Sequence, residues 1–151
     1  MEAFDFVSVN TIDEAVQALQ KADGRGRILA GGTDLLVALR ENRLSASTVV
    51  DIKKVPETTA MTYSAESGLT LGSAVPCHRM YDDETIAAAY PGLMDSAHLI
   101  GGVQIQGRAS FGGNLCNASP AADGIPALIA HYAICNVAGP NGSREIAVED
   151  F

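Results

Sequence analysis

The sequence predicts a protein of the α+β or α/β class, built as two lobes. Residues 1–54 read as a small parallel α/β lobe and residues 55–151 as a second lobe with antiparallel strands. Three observations predict it. Up to residue 54, short apolar runs of strand character alternate with stretches whose apolar residues recur at helical spacing, as parallel strands joined by helices require. Pro56 then breaks that pattern. Beyond it, apolar runs come in pairs around short turn-forming segments, as hairpins do.

The elements follow in order. Phe4 to Val9 alternates apolar and polar residues and reads as a first strand. Thr11-Ile-Asp-Glu14 has the pattern of a capping box, so a helix opens there, with Ile12, Ala15, Val16 and Leu19 as its apolar stripe and Gly24 as its end. Arg27 to Ala30 is short and apolar, like a buried strand. A second helix runs from Leu35 to about Asn42, and Thr48 to Ile52 forms a third strand. After Pro56, strands over Thr59–Ala65 and Leu69–Val75 flank Glu66-Ser67-Gly68. Helical stretches cover His78–Ala89 and Gly92–Ile100, and Asp82-Asp83-Glu84 reads as a solvated helix start. Residues 101–123 are rich in Gly, Ser, Asn and Ala and show little periodicity, so a long loop is expected there. A helix over Ile125–Tyr132 follows. A hairpin then turns at Gly139-Pro-Asn-Gly142 between strands Ala133–Val137 and Glu145–Val148.

Composition narrows the function. The 151 residues carry 10 Lys and Arg against 18 Asp and Glu, a formal charge of −8. That balance disfavours a nucleic-acid surface, which needs basic patches, and an anionic membrane surface for the same reason. Cys77, Cys116 and Cys135 are odd in number and include no C-x-x-C pair, which argues against a disulfide scaffold or a zinc or iron–sulfur site in this chain. Cys116 reads as a small buried thiol and the other two as structural. His78, His98 and His131 lack metal-ligand spacing. No leader peptide or apolar membrane span is expected, which makes a cytoplasmic protein the default.

Two glycine pairs carry the chemical signal. In Leu29-Ala-Gly-Gly-Thr-Asp-Leu-Leu36 a buried strand runs into Gly31-Gly32 and then a helix. Such a turn brings backbone N–H groups close to an anion such as a pyrophosphate. It also fits a plain strand-to-helix bend in which Thr33 or Asp34 only caps. It is neither a G-x-G-x-x-G fingerprint nor a Walker A loop. The second segment, Ser110-Phe-Gly-Gly-Asn114, leads into Leu-Cys-Asn-Ala-Ser-Pro-Ala-Ala-Asp123. Asn114, Asn117, Ser119 and Asp123 place donors and acceptors beside backbone exposed at Gly112 and Gly113. A structural Ω-loop is the competing reading. Two such segments in separate lobes suggest a phosphate-rich ligand held between them, with Asp123 suited to ribose hydroxyls or an amino group.

These two segments, with Val103-Gln-Ile105 and the closing Gly139–Phe151 stretch, resemble the FAD-binding (medium) subunits of the molybdenum hydroxylases, the xanthine dehydrogenase and carbon monoxide dehydrogenase family. The resemblance is to the N-terminal part only. It implies a vanillyl-alcohol-oxidase-like (p-cresol methylhydroxylase type, PCMH) FAD fold, incomplete at its C-terminus. It implies that FAD lies between the lobes. Leu29, Ala30, Gly31, Gly32, Thr33, Asp34, Leu35 and Leu36 would wrap the pyrophosphate, and Ser110, Phe111, Gly112, Gly113 and Asn114 would complete that grip. Asn117 would be among the cofactor-binding residues, Asp123 would hold the ribose or adenine side, and Ile100 would pack near the cofactor. The partners implied are a molybdopterin-binding large subunit and a small subunit with 2Fe–2S clusters, from which electrons pass through FAD to NAD or another acceptor. Gly107 stands where the family often has Asn, and Phe111 where a smaller aliphatic is usual.

No general acid, nucleophile or metal set is visible, which suits a subunit whose cofactor carries the chemistry. Two other functions compete. One is a truncated scaffold that binds partner subunits without retaining FAD. The other is a flavin reductase like the enolpyruvyl-glucosamine reductases, which needs a side-chain proton donor that the sequence does not place.

Overall fold

The structure is a computed structural model and describes residues 2–151. It opens with strand β1 (Asp5–Ser8) and helix α1 (Ile12–Lys21). Thr11 caps α1 as expected, its Oγ1 accepting from the Glu14 N–H at 3.1 Å. The return half of the box is shifted by one residue: the Glu14 carboxylate accepts from the Asn10 N–H at 2.7 Å rather than from Thr11. The chain leaves the helix through Asp23 and Gly24, both at positive φ (46° and 76°), where Gly and Asp are tolerated.

Strand β2 (Gly26–Leu29), helix α2 (Leu35–Arg40) and strand β3 (Thr48–Asp51) complete a parallel sheet of order β1-β3-β2. Val50 pairs with Val7 on one side and Ile28 on the other, and Asp51 with Ser8 and Leu29. Val49 and Val50 are fully buried on opposite faces of this central strand. Val50 packs with Val9, Ala15, Ile52, Val55 and Ala74. Val49 packs with Leu29, Leu39 and Ala46. A strand with one apolar residue on each face and a core on both is what a covered parallel sheet demands.

Past Pro56, a short helix α3 (Pro56–Thr59) precedes the expected hairpin, β4 (Met61–Ser64) with β5 (Gly68–Leu71). The continuous helix expected over His78–Ala89 is two helices, α4 (Cys77–Tyr81) and α5 (Glu84–Ala89). The break is made by Asp83, which caps α5 by accepting from the Thr85 and Ile86 N–H groups at 3.0 and 3.1 Å. The helix start read at Asp82-Asp83-Glu84 is therefore real, and it divides the stretch. Helix α6 (Pro91–Leu99) begins with Pro91 at its first position.

The stretch 101–123 corrects the expectation of a long loop. It contains two short helices, α7 (Val103–Gln106) and α8 (Phe111–Cys116). Glycine is a poor helix former, so propensity conceals α8. Ser110 restores the helix start by accepting from the Gly113 N–H at 3.1 Å. Helix α9 (Gly124–Ala130) and the hairpin β6 (Ile134–Gly139) with β7 (Gly142–Ala147) close the chain, followed by a 3₁₀ turn over Val148–Asp150. The second large core joins Cys77, Met80, Ile86, Leu93, Met94, Ala97, Ile100, Ala109 and Phe111.

Candidate functional site

The site is built where the carboxyl edge of the parallel sheet meets the start of α8. At the end of β2 the chain turns through Ala30, Gly31 and Gly32 before α2. Gly32 has φ +78°, and a Cβ there would meet the Leu29 and Leu36 side chains at 2.6 and 3.2 Å. Only glycine takes this turn without strain. Gly31 is constrained differently: a Cβ on it would lie 1.9 Å from the Arg108 carbonyl oxygen and 3.1 Å from the Ala109 nitrogen. The first glycine turn is thus seated on the backbone that leads into Ser110.

The second glycine pair is held just as closely. A Cβ on Gly112 would lie 2.5 Å from both the Cα and the carbonyl oxygen of Ser73, the loop after β5. A Cβ on Gly113 would reach the Ala30 Cβ at 4.0 Å. Pro76 and Ser110 form an isolated antiparallel bridge, and the Cys77 N–H donates to the Ala109 carbonyl at 2.8 Å. Three segments far apart in sequence, Ala30–Leu36, Ser73–Pro76 and Arg108–Asn114, therefore converge. Among the described residues, the backbone N–H groups of Gly31, Gly32, Thr33, Asp34 and Gly112 have no protein acceptor. Asp34 makes no side-chain cap for α2, so the plain capping role open to it in the sequence is not used.

Asn114 is turned away from this convergence: its Oδ1 accepts from the Gly124 N–H at 3.1 Å and ties α8 to the start of α9. Asp123 stands at the N-cap of α9, exposed and making no cap hydrogen bond. Asn117 is exposed at the end of α8. Phe111 is 2% exposed, with its ring in the core; a Cβ on Gly124 would come within 2.8 Å of that ring. The large residue at 111 and the glycine at 124 fit one another. Ile100 lies in the same core as Ala109 and Phe111. Cys116, read as a buried thiol, is exposed because it lies at the open end of α8; Cys77 is the buried one.

Sequence reasoning missed three contributors. Ser73 forms the bed of Gly112; the small run Gly72-Ser73-Ala74 is its only trace in the sequence. Gln106 is buried, donating to the His98 and Gly101 carbonyls at 2.8 and 3.4 Å and accepting from the Tyr81 hydroxyl at 3.2 Å. It fixes α7, and so the Arg108 carbonyl beyond it. Lys53, just past β3, donates to the Ala30 carbonyl at 3.2 Å. A groove of about 610 Å³ beside β1 and α1 is lined by Asp5, Asn10, Glu14 and Lys21 among others and includes none of the candidate residues.

This geometry, two glycine turns locked back to back with unpaired N–H groups, coincides with a family match. The profile described as the FAD binding domain in molybdopterin dehydrogenase matches residues 2–151. The chain belongs to this family. The xanthine dehydrogenase FAD-binding subunit of Escherichia coli O157:H7 is 31% identical over 98% of the chain and 51% of its own length. The nicotinate dehydrogenase FAD subunit of Eubacterium barkeri is 29% identical over all of the chain and 51% of its own length. Quinoline 2-oxidoreductase from Pseudomonas putida 86 superposes with a TM-score of 0.92 at 28% identity, over 99% of the chain and 52% of its own. The chain spans about half the length of the curated relatives it matches. The fold expected of a PCMH-type FAD domain, a parallel sheet followed by antiparallel strand pairs, is the fold observed. The family's cofactor is FAD, and the N–H groups of Gly31 to Asp34 and Gly112, left without a protein acceptor, are donors of the kind a pyrophosphate takes.

Proposed function

We propose that this chain is the FAD-holding portion of a molybdopterin-dependent dehydrogenase. The reading rests above all on the contact of Gly31 with the Arg108 carbonyl, which brings the two glycine turns into one site. In it, Leu29 to Leu36 wraps the pyrophosphate through the N–H groups of Gly31 to Asp34, and Ser110 to Asn114 adds the Gly112 N–H. Asp123 and Asn117, exposed beyond α8, serve the ribose or adenine side. Ile100 supports the cofactor face from within the core of residues 55–151, the second of the two lobes. When bound, FAD would supply the redox chemistry, between a small subunit with 2Fe–2S clusters, beside a molybdopterin-binding large subunit, and NAD or another acceptor. In this reading the chain itself binds and orients the cofactor.

The test is an absorption spectrum of the purified chain after adding FAD and desalting. Retained flavin bands near ~370 and ~450 nm support the reading. A protein that stays colourless, alone and with its partner subunits, overturns it in favour of a scaffold without cofactor.

A further inference from the structure

The described residues place one full positive charge directly on the first glycine turn, and no sequence motif marks it. Lys53 follows β3, the strand paired with β2, so its side chain and the Gly31-Gly32 turn leave the same carboxyl edge of the sheet. Ligands of open parallel sheets gather at that edge. The Lys53 ammonium is fixed by two partners. It lies 2.5 Å from the Asp51 Oδ1, in a pair whose side chains are 33% and 15% exposed, and it donates to the Ala30 carbonyl at 3.2 Å. Asp51 also accepts from the Lys53 N–H at 3.1 Å, so the carboxylate is itself held at the end of β3.

The Ala30 carbonyl belongs to the same peptide unit as the Gly31 N–H. That unit is planar and trans, and no cis peptide occurs among the described residues. Its C=O and N–H therefore point in opposite directions. Whatever holds the carbonyl also aims the N–H. A glycine on either side of a turn leaves its peptide free to rotate, which is the freedom such a pin removes.

We propose that Lys53 is a positioning residue for the dinucleotide: anchored on Asp51, it pins the Ala30 carbonyl and so presents the Gly31 N–H to the ligand's phosphates. This rests on the reading of the site given above and deepens it. Lys53 acts through the backbone, without an ion pair to the phosphate. A direct ion pair would weaken steeply with salt, whereas a partly buried internal contact is screened far less.

The test compares the chain with its Lys53→Met variant, which keeps the aliphatic stem and loses the ammonium. FAD affinity is measured by flavin fluorescence at low and high salt, and the backbone amides of Gly31 and Gly113 are followed by nitrogen-15 NMR before and after FAD. The expected result is affinity lower by roughly tenfold at both salt levels. The Gly31 resonance moves already in the ligand-free variant, while that of Gly113 stays. Lys53→Arg restores most of the affinity, and Asp51→Asn, which leaves the ammonium without its anchor, shifts both readouts in the Lys53→Met direction by less. FAD affinity within about twofold of the parent, or an unmoved Gly31 resonance, overturns the inference and leaves the cofactor site standing. A loss that vanishes at high salt overturns it in favour of direct charge contact. A parent chain that binds no FAD, alone and with its partner subunits, overturns both.

Discussion

The Cα of Gly31 faces the carbonyl oxygen of Arg108 so closely that a Cβ on Gly31 would stand 1.9 Å from it. Neither partner can yield cheaply, because both are backbone: one is the turn after β2, the other the exit from α7. Gly31→Ala is therefore expected to destabilise the fold by about 3 kcal/mol or more and to abolish FAD retention. Urea unfolding with an FAD-retention assay checks this. An alanine variant that unfolds like the parent and stays yellow would show that the two segments are not in contact.

Two glycines give a matched pair. Gly112 lies against the Ser73 backbone, whereas a Cβ on Gly92, in α6, would meet nothing within 4 Å. Gly112→Ala should destabilise by about 1–3 kcal/mol. Gly92→Ala should stabilise by about 0.5–1 kcal/mol, through the lower helix cost of alanine. Thermal unfolding of both variants must move in opposite directions for the packing described at Ser73 to hold.

Burial pushes the Cys77 thiol up from 9.0 to about 11, an effect only partly offset by a backbone hydrogen bond. The folded state thus favours the neutral thiol, and the unfolded chain ionises first as pH rises. The stability due to this group is complete below pH 9 and is lost as pH rises towards 11. The difference between the parent and Cys77→Ala, followed by denaturant melts across that window, should show the loss in the parent only. In the native chain at neutral pH, iodoacetamide should label the exposed Cys116 well before Cys77.

Asp83 is the residue that divides α4 from α5, through its two bonds to Thr85 and Ile86. Asp83→Ala should cost about 1 kcal/mol, and Asp83→Asn should cost less, because an amide oxygen still caps. Equal losses for both would mean that the negative charge, rather than the capping bond, does the work.

The first fifty residues were legible because each element announces itself locally. Thr11 and Glu14 mark the start of α1, Gly24 its end, and Val49-Val50 a strand covered on both faces. The glycine turns were legible as candidate binding backbone for the same reason. Helix α8 was not, since Phe-Gly-Gly-Asn has no helical propensity, and Ser110 and the bed at Ser73 provide what the residues lack. Lys53 looks like any surface lysine beside Lys54; its contact with Ala30 exists only because β3 lies next to β2. Gln106 is hidden in the same way: a polar residue among glycines gives no sign that it will be buried holding two carbonyls. Local chemistry reads from the chain; contacts made by strand order do not.

The order β1-β3-β2 also dictates a folding sequence. The first two strands made share no hydrogen bonds with each other; each pairs only with the third. No part of the sheet can assemble until Thr48 to Asp51 has been synthesised. Until then, α1 has local support of its own, from Thr11 and Glu14. Because loop closure must precede any pairing reward, Val49 and Val50 belong in the folding nucleus. Their truncation should slow folding more than it speeds unfolding, and on the ribosome the nascent sheet remains open until its centre arrives.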